Sequence, residues 1–81
     1  MKNSTRLVWQ VQSIGETAGE VWHFLHSKGE SSLSAVEWGV HAPKAMGHMA
    51  IGWLAREGKL DLIQEKRVIK IWLKEGPAYL P

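Results

Sequence analysis

Apolar residues recur at helical spacing through the middle of the chain. In residues 43–59, PKAMGHMAIGWLAREGK, Met46, Met49, Ala50, Trp53 and Leu54 form one stripe on a 3.6-residue repeat. Both ends of the segment are marked. Pro43 suits a first helical turn, where a missing N–H has no partner to lose, and Gly58 suits the position just past the end, where the backbone often turns left-handed. The pattern then switches. Residues 60–73, LDLIQEKRVIKIWL, alternate with period two around a polar centre, which predicts a β-hairpin. No Asn-Gly or Asp-Gly marks its tip, so a four-residue loop over Gln64, Glu65, Lys66 and Arg67 is expected. That loop sets Ile63 opposite Val68, Leu62 opposite Ile69, Asp61 opposite Lys70 and Leu60 opposite Ile71. Leu60, Leu62, Ile69, Ile71 and Leu73 then line a core face, and Ile63, Val68 and Trp72 the other, with Asp61 and Lys70 as an opposite-charge pair.

Upstream, residues 13–28 read as a first helix. Ile14, Ala18, Val21, Trp22 and Leu25 share a face, with Glu16, Glu20, His23 and Ser27 opposite. Ser13 with Glu16 fits a capping box, and Thr17 with Glu20 fits a second, so the start lies at one or the other. Gly29 ends the helix. Residues 31–33 suit a very short strand. Ser34 with Glu37 makes a third capping box and opens a second helix over residues 35–40, with Leu33 and Trp38 as a hydrophobic staple. The His41-Ala42-Pro43 turn separates it from the central helix. Residues 7–12 are β-prone and read as a short strand or an extended arm carrying Trp9, able to cover the outer hairpin face. Residues 75–81 form a turn-rich tail that would dock through Tyr79 and Leu80. The expected division is an arm over 1–13, one domain over 14–74 and a tail over 75–81.

Composition narrows the function. At 81 residues there is room for one domain, which buries only about 60–65% of its unfolded surface; five tryptophans supply dense packing. The absence of cysteine excludes disulfides and cysteine-based zinc sites. No apolar run resembles a signal peptide or a membrane span, so a cytoplasmic protein is expected. A formal charge of +2 permits a nucleic-acid partner without demanding one.

The order helix, short strand, helix, turn, helix and two-stranded wing gives an α+β fold, the winged helix-turn-helix. Ile14-Gly15-Glu16, Ala18-Gly19 and Val21-Trp22, followed by Ala50 and the string Gly52-Trp53-Leu54-Ala55-Arg56-Glu57-Gly58-Lys59, resemble a family of small stand-alone winged-helix proteins of unknown function from bacteria and archaea. The resemblance covers about residues 14–62. It implies the winged-helix fold and favours a homodimer, and it brings no established functional residues. Trp38-Gly39 departs from the more polar second helix expected there.

In a helix-turn-helix the second helix of the motif enters the major groove and the wing lies on the backbone. The outward side of the central helix is expected to carry Lys44, Ala45, His48, Ile51, Gly52 and Ala55. Lys44 near the helix start suits a phosphate, His48 a base or phosphate, and Lys66 and Arg67 at the wing tip the backbone. No Arg, Asn or Gln stands on this face for bidentate base recognition, so weak, mostly backbone-directed binding of double-stranded DNA is the first expectation. The rival is a protein-interaction or homodimerisation module. It rests on the small, smooth face of Ile51, Gly52 and Ala55, or on Ile63, Val68 and Trp72 of the outer wing.

Other chemistry is weakly supported. His23 and His26 lie three apart on one helix, but no third ligand accompanies them, and they read as solvated residues rather than a zinc site. Trp22 and Trp53 read as core residues. There is no Gly-rich phosphate loop, nucleophile elbow or reactive cysteine, and the serines sit at helix starts where capping explains them. Neither enzymatic activity, nor a cofactor, nor a small-molecule substrate is expected.

Overall fold

The computed structural model describes residues 10–74. Its first helix, α1 (Val11–Lys28), starts two residues before Ser13. Gln10 is the N-cap and contributes no side-chain bond; its carbonyl accepts from the Ser13 and Ile14 N–H groups. Both expected capping boxes therefore lie inside the helix. An i,i+4 bond from Gln12 Nε2 to Glu16 Oε2 at 3.2 Å supports the extra turn. The buried Thr17 hydroxyl, instead of capping, donates back to the Ser13 carbonyl at 3.0 Å. Gly29 closes the helix with φ +81° and donates its N–H to Leu25 O. The arm beyond Gln10, with Val8 and Trp9, and the tail with Tyr79 and Leu80 lie outside the described residues.

Strand β1 (Ser31–Ser32) leads straight into α2 (Leu33–Gly39). The cap is Ser32, not Ser34: its hydroxyl accepts from the Ala35 N–H at 3.1 Å. The helix thus begins two residues early, and the staple fails with it. Leu33 becomes the first helical residue, and five steps of about 100° put Trp38 some 140° away from it. Trp38 is 88% exposed. The helix-turn-helix turn is fixed from outside, because Glu20 Oε1 on α1 accepts the His41 N–H at 3.1 Å.

Helix α3 (Lys44–Arg56) has Pro43 as its N-cap rather than in its first turn. Its end is as expected: Gly58 has φ +74°. The Gly58 N–H donates to Ala55 O and the Lys59 N–H to Leu54 O, the paired bonds of a Schellman motif. The buried stripe is shifted. Met46, Gly47, Ala50, Ile51 and Leu54 are buried, Trp53 is half-buried, and Met49 is 45% exposed. Because α3 packs against α1, α2 and β2, its buried arc widens to take in Ile51.

Strands β2 (Leu60–Glu65) and β3 (Val68–Leu73) form the wing, and β1 adds to the far side of β3, giving the order β1-β3-β2. Their register runs from Leu60 opposite Leu73 to Glu65 opposite Val68. The loop is therefore only Lys66 and Arg67, not four residues. Lys66 takes a φ of +58° without being glycine or asparagine, and the Gln64 side-chain amide donates to its carbonyl at 3.0 Å. The two-residue slip preserves both faces, but it changes the partners. Asp61 faces Trp72, and Lys70 faces Ile63 and pairs with Glu65 at 3.1 Å. Ala18, Val21 and Leu25 of α1, Val36 and Val40, Ala50, Ile51 and Leu54 of α3, and Leu60 and Ile71 of the wing make one buried cluster. Leu62 lies on the core side of the sheet yet is 47% exposed, since it stands on β2, the edge strand, whereas its partner Ile71 on the central strand is fully buried.

Candidate nucleic-acid interface

Two elements leave polar groups on the surface where a winged helix meets its partner: the outer side of α3 and the tip of the wing. On α3, Lys44, Ala45, His48, Gly52 and Ala55 are exposed, as the helical wheel predicts. Ile51 is not. It is 6% exposed and part of the core, so its expected place in an interface is corrected. Met49 and Arg56 take up the outward arc instead. The helix contains no carboxylate, and no side chain caps its first turn, so the first N–H groups and Lys44 together favour an anion there.

His48 has a partner that the sequence did not announce. Its Nε2 lies 2.5 Å from Glu37 Oε2 on α2. The carboxylate side chain is 19% exposed and the imidazole 45%. Glu37 had been expected only as a helix cap. Eleven positions separate the two residues, and no local pattern links them; their meeting depends on how α2 crosses α3.

At the wing tip Lys66 and Arg67 are exposed side by side. Farther down the wing the charges are paired across the strands. Lys70 is held above its ordinary value of 10.5, first by its hydrogen bond to Glu65 and then by the Glu65 charge. Lys74 lies 3.9 Å from Asp61. The outer face between them exposes Ile63 and Val68 at 46% each, with Trp72 half-buried.

The glycines of α3 leave open ground: a Cβ at Gly47 or Gly52 would meet nothing within 4 Å. The histidines of α1 are engaged by an indole. His26 stacks on Trp22 at 4.7 Å and 12°, and His23 meets it edge-on at 5.3 Å. Among the described residues no three metal-ligating side chains gather. Trp22 and Trp53 pack against the core while half-exposed. With Gly15 and Gly19 they line a cleft of about 280 Å³ between α1 and α3, slightly below the usual range for a small-molecule site. No helix among the described residues is long and apolar enough to cross a membrane.

Residues 9–73 match the family described as winged helix-turn-helix domain (DUF2582). The uncharacterized protein MJ1608 of Methanocaldococcus jannaschii is 44% identical over 63 residues, spanning 72% of this chain and 89% of that protein. The α+β winged-helix fold and the resemblance to a small winged-helix family of unknown function are thereby borne out.

Proposed function

The chain belongs to the winged helix-turn-helix domain family, and from that premise we propose that it binds double-stranded DNA weakly and mainly through the phosphate backbone, in an accessory or regulatory role in the cytoplasm. Lys44 and Arg56 on α3, with Lys66 and Arg67 on the wing, are the phosphate contacts of this reading. The observation that carries it is Lys66. A two-residue hairpin turn favours glycine, asparagine or aspartate at a positive φ, and a lysine held at +58° gives up about 1 kcal/mol to stay there. Strain kept at an exposed tip points to a use for the side chain, and a paired Lys66-Arg67 tip suits a phosphate backbone.

Binding to random-sequence duplex DNA across a salt series tests it. Four phosphate contacts per chain give a log–log slope of about −3.6, and a homodimer engaging both copies about twice that. Lys66→Glu with Arg67→Glu should abolish binding while leaving the fold and oligomeric state intact. No binding at low salt would defeat the proposal.

A second reading, a protein-interaction or homodimerisation module, is favoured by one observation: Trp38 stands 88% exposed on α2. A tryptophan so open to solvent suits a buried contact with another protein. In this reading the apolar outer wing of Ile63, Val68 and Trp72, or the small face at Gly52 and Ala55, meets the second surface. Sedimentation of the free protein checks it, and a strict monomer at high concentration would remove the homodimer.

A further inference from the structure

The hydrogen-bonding role of one side chain on α3 is set from another helix. Glu37 on α2 holds His48 Nε2 at 2.5 Å. An ionised carboxylate can only accept, so Nε2 carries the hydrogen, and a neutral imidazole then has a bare Nδ1. That nitrogen makes no hydrogen bond among the described residues. Its surroundings on the outward side of α3 are small: Ala45 and Gly52 are both exposed, and a Cβ at Gly52 would meet nothing within 4 Å. The charged groups on the two elements are Glu37 itself, the exposed Lys44 one turn earlier on α3 and the exposed Arg56 about two turns later. A duplex laid along α3 can therefore reach a hydrogen-bond acceptor at His48.

Major-groove edges differ in what they offer such an acceptor. Adenine N6 and cytosine N4 are donors, whereas guanine N7 and O6, thymine O4 and the phosphate oxygens are acceptors. Lone pair would face lone pair at all of the latter. Resting on the duplex-DNA reading above, we infer that His48 reads the exocyclic amine of an adenine or cytosine through Nδ1, and that Glu37 is the positioning residue that selects the required tautomer. His48 is then the base-reading group of a site whose other contacts are phosphate contacts, and the small residues beside it give the base edge access.

The test has two arms. In the free protein at pH 8.5, ring nitrogen NMR should show Nε2 protonated and Nδ1 bare in His48, and a tautomer mixture in Glu37→Ala. The opposite tautomer in wild type, or no change in Glu37→Ala, overturns the inference. Selection of bound sites from random duplexes at the same pH should enrich adenine or cytosine at one position about five- to tenfold. That enrichment should vanish in Glu37→Ala and in His48→Ala while the salt slope stays. Duplex binding without positional enrichment overturns the His48 contact alone. The expected tautomer together with no duplex binding at low salt overturns the DNA reading, and this contact with it.

Discussion

The backbone of Gly39 in α2 lies against the ring of Phe24 in α1: a Cβ built at residue 39 would stand 2.1 Å from Phe24 Cε2. No real side chain tolerates that distance, so Gly39→Ala must push the ring aside. Phe24 is half-buried and packs on the core, so the displacement should cost about 1–3 kcal/mol. Urea denaturation of the variant measures it, and adding Phe24→Leu should recover part of the loss. A Gly39→Ala protein as stable as wild type would mean that the ring swings away freely. The same contact accounts for the Trp38-Gly39 departure from a polar second helix, at least at Gly39.

Lys66 sets stability against binding at a single residue. Lys66→Asn places a residue that accepts positive φ at the turn and should stabilise the fold by about 0.5–1 kcal/mol. The same change removes a phosphate contact, so the salt slope for duplex DNA should fall by about 0.9. Denaturation and a salt series on one variant read both effects. A variant that is no more stable would show that the turn holds lysine without strain.

How far the chain could be read in advance follows from which forces are local. The order of elements, the Gly29 and Gly58 stops and the two faces of the hairpin were all legible, because periodicity and left-handed termini are written within a few residues. Helix starts were not. Ser13, Thr17 and Ser34 each carry a plausible cap, and the bonds at Gln12 and Ser32 accompany frames that begin two or more residues earlier. The hairpin slip is of the same kind: Lys66 accepts a strained φ that residue preferences argue against. Of the candidate site, Lys44, Gly52, Ala55, Lys66 and Arg67 are on the surface as expected. Ile51 was misplaced because a wheel with one stripe does not show that α3 is pressed from three sides. The Glu37–His48 contact had no local signal at all.

Lys70 gives a pH dependence with a definite sign. Its folded value is raised by Glu65, so its charged form contributes stability that is fully present below the ordinary value of 10.5 and is lost as pH rises through the folded value. The Tm difference between wild type and Lys70→Met should stay constant from neutral pH upward and narrow only above about pH 10.5. It should be small throughout, because the pair is solvent-screened. A gap that closes below pH 9 would mean that Glu65 does not hold the ammonium.

Arg56 was brought into the outward arc by the shift of the buried stripe, and the DNA reading uses it as a phosphate contact near the C-terminal end of α3. Arg56→Gln should therefore weaken duplex binding by a similar factor on every sequence and lower the salt slope by about 0.9. Unfolding should change by less than about 0.5 kcal/mol, since the residue is exposed. An effect confined to particular sequences would instead make Arg56 a base contact, and no effect would shift the phosphate track towards Lys44 and the wing.

Trp38 separates the two functional readings. Had the Leu33–Trp38 staple formed, removing the indole would strip buried surface and cost stability. At 88% exposure, Trp38→Gln should leave the unfolding free energy within about 0.5 kcal/mol of wild type. The result that matters is then the association state. If Trp38 anchors a second copy or another protein, its loss should weaken that contact by about 2 kcal/mol or more, about 30-fold in Kd, as truncating an aromatic anchor does. The dissociation constant from sedimentation, measured beside duplex affinity, assigns the residue. Weaker self-association with unchanged DNA binding places Trp38 in a homodimer contact distinct from the α3 surface. A loss of both, with the fold intact, would mean that pairing of two chains is what brings enough cations to the duplex, since the DNA reading gives a single chain four phosphate contacts.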